Sequence, residues 1–361
     1  MKEELSVKEV RAMYFDETAL RLSPIPLYRY EHKGDRFYYY QVESEKLFDT
    51  TPEIRFAAGV TTITRKTIPQ DEFLIKWMAQ MGYEEAIAYR NERASYGSLM
   101  HTCIATLIIT KTFNVDYLSD IVHNYCKKNS LKVNEERWAD DLRQDVLAFA
   151  QFVKDYQVQP LAVELSLVSP ALGVAGTLDL LCTMTVQRSG FFGEVYKSGE
   201  RKGEPKETKK DFRIIAIIDF KSGRESTGGL HNAAQLALLK LLLKHNYSEF
   251  SDQEIGLFNW HPKNWRTAPT YTLVDQNNGF PETAVLPMIT MYQLLNKSPE
   301  DKTRLDIFGI VNLNDPKLEE NYKITPIKTI VEESISEGKT EEMRYDYADF
   351  YFNFEDEGGE S

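Results

Sequence analysis

The chain has 361 residues, with 43 Lys and Arg against 55 Asp and Glu and a formal charge of −12. Hydrophobic residues make up 42% and aromatics 12%, enough to bury a sizeable core, so wholesale disorder is ruled out. The acidic balance excludes a histone-like protein that coats nucleic acid by bulk charge, but it leaves room for a local basic groove and supplies carboxylates for metal sites. Length alone suits roughly two domains or one elaborated domain. Three cysteines, Cys103, Cys126 and Cys182, lie far apart without CxxC spacing. A zinc ribbon, a four-cysteine iron–sulfur cluster and a disulfide framework are therefore not expected, and a reducing cytoplasm is. MKEELSVKEV has no apolar stretch of the kind a signal peptide needs, and no apolar run reaches the ~18 residues of a spanning helix, so no membrane partner is expected.

Residues 1–60 read as an irregular entry segment with strand-like pieces, RFYYYQV the clearest. From Pro69 the period becomes helical. FLIKWMAQMGYEEAIAYRNERASYGSLMHTCIATLII predicts successive helices, broken near Gly82 and restarted near Ser95. DYLSDIVHNYCKK and NEERWADDLRQDVLAFAQFVKDY predict two more, the second with a stripe through Trp138, Leu142, Val146, Ala150 and Val153. After Pro160, LAVELSLV and VAGTLDLLCTMTV predict a hairpin turning through SPALG. Residues 188–212, rich in Gly, Lys and Glu, predict a long solvated loop. RIIAIIDFK then reads as a central strand buried on both faces. AAQLALLKLLLKH is a helix, IGLFNW and TYTLV are strands joined through His261, Pro262 and Lys263, and TAVLPMITMYQLLNK is a late helix. This divides the chain into a folded domain over 61–330, with a helical part 61–158, a core 159–275 and a helical part 276–330, and an acidic tail 331–361. The tail reads as a flexible terminus, with docking on a partner as the alternative.

Chemistry concentrates at Glu164, Asp179, Asp219 and Lys221. Each acid interrupts an apolar strand, and a buried carboxylate needs a partner or a metal. Alternation puts Asp219 and Lys221 on one strand face. A turn centred between Ala171 and Leu172 sets Glu164 opposite Asp179, and a second hairpin sets Asp219 roughly level with Leu180. Three carboxylates and an ammonium then converge, a cluster suited to a hard divalent cation. Such an ion polarises a phosphoryl group and lowers the pKa of water, while a lysine orients that water and stabilises developing charge. The rival reading is structural, with Lys221 neutralising Asp219 in a buried ion pair. Four such residues on adjacent strands favour the functional one.

In order along the chain, AGTLDLL, a long gap, IIDFKSG and a helix with AAQLALL resemble the PD-(D/E)XK nuclease superfamily, most of all its RecB-like and phage exonuclease branch. The resemblance covers about residues 58–275 and rests on the order and setting of short motifs, including GVTTITRKT as a lead-in. It implies an α/β fold, a restriction-endonuclease-like mixed central sheet flanked by helices, with a helical N-terminal elaboration. It matches Asp179, Asp219 and Lys221 to the catalytic motif, Glu164 to the upstream acid and Gln235 to the helix glutamine. It matches Gly97 and His101 in YGSLMH to a G-x-x-x-H motif. By spacing alone Gly97 and His101 share a helix face, and His101 beside Ile104 and Ile108 reads as a core histidine. The resemblance makes it a metal ligand with Asp179, Asp219 and Glu164 around Mg2+ or Mn2+. Gln235, by itself a polar-face residue, would hold Lys221 or the substrate. Leu239 stands where the family often has tyrosine, which touches substrate contacts more than the metal.

The activity implied is metal-dependent hydrolysis of DNA, single-stranded or at duplex ends, leaving 5′-phosphate and 3′-hydroxyl. A helical lid favours threading of an end, hence an exonuclease of replication, recombination or repair. The setting is a bacterial cytoplasm with a phage origin open, the cofactor Mg2+ or Mn2+ with no iron–sulfur cluster, and a replication or recombination protein is the partner the tail would dock on. The rivals are a non-catalytic nucleic-acid-binding scaffold on the same fold and a glycosidase using Glu164 and Asp179. Lysines of SGERKGEPKETKK interleave with acids, so solvation outranks DNA contact. Trp260, His261, Trp265 and Arg266 are candidates for stacking on bases, with packing the stronger reading. No P-loop, GxGxxG after a strand, HExxH or GxSxG elbow is present.

Overall fold

The structure is a computed structural model and describes residues 25, 27–32, 35–42, 53–70, 72–198, 200–223, 229–296 and 341–342. Three antiparallel strands open it: β1 (Tyr28–His32), β2 (Asp35–Val42) and β3 (Glu53–Gly59). The entry segment therefore supplies three strands of the main sheet, and RFYYYQV lies within β2. Five helices follow in order: α1 (Val60–Thr67), α2 (Glu72–Met81), α3 (Tyr83–Thr110), α4 (Leu118–Lys128) and α5 (Glu135–Asp155). Then come β4 (Gln159–Ser169), β5 (Val174–Val195), β6 (Pro205–Phe220), α6 (Leu230–Asn246), β7 (Ile255–Pro262), β8 (Tyr271–Asp275), α7 (Val285–Leu295) and a short β9 (Glu341–Glu342).

The strands form one mixed sheet in the order β8-β7-β6-β5-β3-β2-β1-β9, with β4 on β5 outside this path. The β5 strand is the hub. Its Leu180–Thr183 stretch pairs with β4 on one edge and β6 on the other. Its Val174–Ala175 stretch pairs with β4 and, in parallel, with Ala58–Gly59 of β3. On that second edge the β3 ladder ends at Ala175 and the β6 ladder begins at Leu180. The sheet thus forks over residues 176–179, and the fork holds the candidate site.

A core lies on each face. One packs α1, α6 and α7 against Leu178, Leu181, Ile217 and Leu257. The other packs α3, α4 and α5 against Leu180, Cys182, Ile218 and Trp260. Gly176 lets the first core close, since a Cβ there would sit 2.9 Å from both Leu239 Cδ2 and Val60 Cγ2. Leu239 is buried in that contact, so it packs the core.

Several sequence expectations change. The helix after Gly82 runs unbroken through Ser95 to Thr110, because Tyr96, Leu99, Met100 and Cys103 carry a buried apolar face straight past Ser95; Gly82, at φ 91°, makes the break before it. The stripe on α5 passes from Val146 to Phe149 and Phe152, leaving Ala150 exposed, since repeated steps of four residues drift around the helix. Residues 188–212 are a paired ribbon of β5 and β6 whose two faces both meet solvent, which removes the alternation that would have marked strands. His261 and Pro262 belong to β7. Within the tail, Glu342 and Glu341 pair with Tyr28 and Arg29 of β1; the rest of 331–361 lies outside the described residues. No helix among the described residues is long and apolar enough to cross a membrane.

Candidate active site

The β4–β5 hairpin turns through Gly173, whose φ of 62° suits glycine. Its register pairs Val163 with Leu180 and Leu165 with Leu178, so Glu164 faces Asp179 as the sequence arithmetic expects. Glu164 itself takes φ 50°, an uncommon conformation for a residue with a side chain, which turns it out of the regular ladder. Ile218 pairs with Leu180, so Asp219 stands level with Asp179, one residue closer than expected.

His101 reaches the fork from α3. Its Nδ1 lies 3.5 Å from Asp179 Oδ1 and 3.8 Å from Glu164 Oε1. Its Nε2 is 3.1 Å from the Phe220 carbonyl, and its ring sits edge-on to the Phe220 ring. Ile104 and Ile108 lie in the core on the helix, but the imidazole itself belongs to the acid cluster. One donor atom each from His101, Glu164 and Asp179 lies within 4.8 Å of the others. An imidazole nitrogen and two carboxylates so spaced fit a divalent cation such as Mg2+ or Mn2+. Burial alone would lower the His101 pKa, but Asp179 and Glu164 outweigh it and hold the ring well above its ordinary value.

Asp219 stands beside this triad and is held differently. Its Oδ2 accepts from Lys221 Nζ at 2.7 Å and from Asn259 Nδ2 at 2.5 Å, and its Oδ1 accepts from Gln235 Nε2 at 3.1 Å. Lys221 Nζ also donates to Gln235 Oε1 at 3.4 Å. Burial raises the Asp219 pKa, with Lys221 opposing and Asp179 adding to the rise. Asp179 Oδ2 accepts from the Phe220 amide at 2.6 Å, which ties its carboxylate to β6.

The sequence reading missed Asn259 and Gln276. Asn259 is fully buried on β7 beside Asp219, and Gln276 Nε2 donates to its Oδ1 at 2.8 Å. A polar residue inside IGLFNW was the available signal for the first; Gln276 gave none. The site opens into a cavity of about 280 Å³ lined by the acids, Lys221 and Gln235 and also by Arg29, Arg36 and Arg93. Arginines scattered over β1, β2 and α3 left no motif. Gly97 explains its own place in the helix: a Cβ there would stand 3.1 Å from Ser222 Oγ, and Arg93 Nη2 donates to the Ser222 carbonyl at 3.2 Å. Together they seat α3 against the exit of β6.

Of the stacking candidates, Trp260 and His261 are buried and unavailable to bases. Trp260 packs edge-on against Phe149 and Phe220, and His261 Nδ1 bonds the Gly223 carbonyl at 3.0 Å. Burial lowers the His261 pKa, with the Gly223 contact opposing and Lys221 adding to the fall. Trp265 Nε1 donates to Gln144 O at 3.2 Å, a contact that packs the loop onto α5. Burial raises the Cys103 thiol to about 12 and also raises Cys182, so neither is a reactive thiolate at neutral pH.

No family model and no curated protein matches the chain. Among solved structures, the protein SSO0001, known from a crystal structure, is 12% identical over 56% of this chain and 86% of its own, with a TM-score of 0.22. A likeness that slight carries no argument about fold or function.

Proposed function

We propose that the chain is a metal-dependent DNA nuclease of the PD-(D/E)XK type, with a restriction-endonuclease-like core and exonuclease action. The observation that supports this best is the juxtaposition in one cavity of a cation-binding triad, His101, Glu164 and Asp179, with the Asp219–Lys221 pair. Arg29, Arg36 and Arg93 bring positive charge to the same cavity, as an anionic phosphodiester requires. A divalent cation at the triad would polarise the phosphoryl group and lower the pKa of the attacking water. Gln235 and Asp219 fix Lys221 so that its ammonium reaches a non-bridging phosphate oxygen and the attacking water. There it orients the nucleophile and stabilises the charge that develops on phosphorus–oxygen bonds. Asn259 and Gln276 keep Asp219 from rotating away.

The test is incubation of the purified protein with end-labelled linear, circular and single-stranded DNA in Mg2+, Mn2+ or EDTA, beside Lys221→Ala. Expected are cutting of linear DNA only with metal, sparing of the circle, and a loss of ~10²–10⁴-fold in Lys221→Ala while the variant stays folded at the assay temperature. Equal cutting by wild type and variant would expose a contaminant and leave the chain as a non-catalytic scaffold.

A further inference from the structure

Beyond the cavity, the distal halves of β5 and β6 form a long exposed ribbon. Beyond the Thr185–Arg213 pair it runs over residues 186–195 of β5 and 205–212 of β6, roughly 30 Å at ~3.3 Å per residue. Its residues are exposed or half-exposed throughout. A two-stranded ribbon with both faces in water gains little from burial, so its geometry calls for an external surface.

The charges on it are sorted by face. Alternation along paired strands puts Arg188, Lys206, Thr208, Lys210 and Phe212 on one face and Gln187, Glu207, Lys209 and Asp211 on the other. Contacts fix the first face independently. Arg188 lies 5.8 Å over the Phe212 ring, Lys210 lies 5.2 Å over Phe192, and Phe192 and Phe212 are 5.5 Å apart. Gly190 makes room for this, because the Phe192 ring lies where its Cβ would stand, at 3.2 Å. Arg188 and Lys210 are direct cross-strand partners, a like-charge pair that costs stability where nothing anionic covers it. Glu254 offsets part of that repulsion through its contact with Arg188 at 3.1 Å. The second face is mixed in charge, with Glu207 and Asp211 beside Lys209, and Gln187 Nε2 donates to Asp211 Oδ1 at 3.4 Å. Residues 188–211 hold seven Lys and Arg against five Asp and Glu, net positive in a chain of −12.

We infer that this ribbon is a DNA-binding arm, whose Arg188–Lys206–Lys210 face grips the phosphates of duplex DNA outside the active site. The major groove of B-form DNA admits a two-stranded ribbon, and basic side chains flanking aromatic rings suit its phosphate walls. The base of the ribbon, at Val186, lies seven residues along β5 from Asp179, roughly 23 Å at ~3.3 Å per residue. Both faces of β5 are covered between these points, so a duplex held by the arm reaches the fork around the helix layers, at least about seven base pairs from the cut, at ~3.4 Å per pair. The inference rests on the nuclease reading for its choice of DNA, not for the grip itself.

The test measures binding of the full chain to a labelled duplex of about 30 base pairs in EDTA, over a range of salt, with cutting assayed separately in Mg2+. The arm variant is Arg188→Ser, Lys206→Ser and Lys210→Ser. The control, Gln187→Glu with Lys209→Glu, changes net charge equally on the opposite face. The arm variant should bind at least tenfold more weakly and lose about 2.7 from the salt slope, at ~0.9 per phosphate contact, while the control stays within about twofold. In the wild type, duplex DNA should also protect Lys206 and Lys210 from acetylation, a readout that needs no variant to fold. Equal weakening in both variants would reduce the effect to bulk charge and overturn the arm. So would absence of protection, or equal affinity for single strands or RNA of the same length. If the arm variant loses binding while the wild type fails to cut with any metal, the nuclease reading falls and the arm stands.

Discussion

The pKa values of two histidines near the fork are displaced in opposite directions. His101 has its pKa raised, because Asp179 and Glu164 overcome its burial, so folding binds its proton more tightly. In metal-free protein its stabilisation is complete below the unfolded value of about 6.5 and is lost as pH rises through the higher folded value. His261 has its pKa lowered by burial, so its contribution is present above about 6.5 and is lost as pH falls through the lower folded value. Thermal midpoints in EDTA across this window should therefore gain on the alkaline side for His101→Gln relative to wild type, and gain on the acid side for His261→Gln. Parallel curves for all three proteins would refute the assignment. Asn259 gives a second prediction at this scale. Replacing it by leucine strands Asp219 Oδ2 with one donor fewer and leaves the buried Gln276 amide unpaired, each at a cost of about 1–3 kcal/mol. Asn259→Leu should lower the midpoint measurably and also slow cutting, whereas Gln276→Leu should lower the midpoint with a smaller effect on rate.

Among the elements, what could be read in the sequence followed from burial. The hairpin β4–β5 and the inner half of β6 are largely apolar runs whose charged residues are Glu164, Asp179 and Asp219, so both register and site were visible there. The ribbon was not, because a strand pair wetted on both faces has no reason to alternate. Nor were the three arginines, which come from β1, β2 and α3 and meet only in the folded chain. The seating of α3 is where sequence motif and packing coincide. Gly97 faces Ser222 closely enough that a Cβ would stand 3.1 Å from its Oγ, a tight contact before any further atoms are added, and His101 sits one turn on. Gly97→Val should push α3 outward, withdraw His101 from Asp179 and reduce cutting at least tenfold, while circular dichroism shows the helices retained. Leu239→Tyr runs the other way: the larger ring must enter the contact with Gly176 and Val60, and overpacking of this kind costs about 1–3 kcal/mol. A variant as stable as wild type would mean that the core has space the present packing does not show.

At the scale of the whole molecule, the site lies where the sheet forks and where elements from both cores converge. His101 comes from the layer of α3–α5, Gln235 from the layer of α6, and the acids from β4, β5 and β6 between them. A ligand bridging His101, Glu164 and Asp179 therefore ties α3 to the central hairpin, and its binding free energy adds to the stability of the folded state. It also relieves the mutual repulsion of carboxylates that the metal-free protein holds together. Saturation to about 100 times the dissociation constant contributes about 2.7 kcal/mol. For a folded unit of this size, ~2–4 °C per kcal/mol gives a rise in thermal midpoint of roughly 5–10 °C. Mn2+ or Mg2+ should produce that rise in wild type and in Lys221→Ala, whose triad is intact, and EDTA should reverse it. Asp179→Asn removes one ligand charge and should abolish most of the shift. A midpoint indifferent to divalent cations in all three proteins would separate the cluster from metal binding and return it to a structural ion-pair core, in which Lys221→Ala, by leaving Asp219 without its cation, would be the most destabilising change of the set.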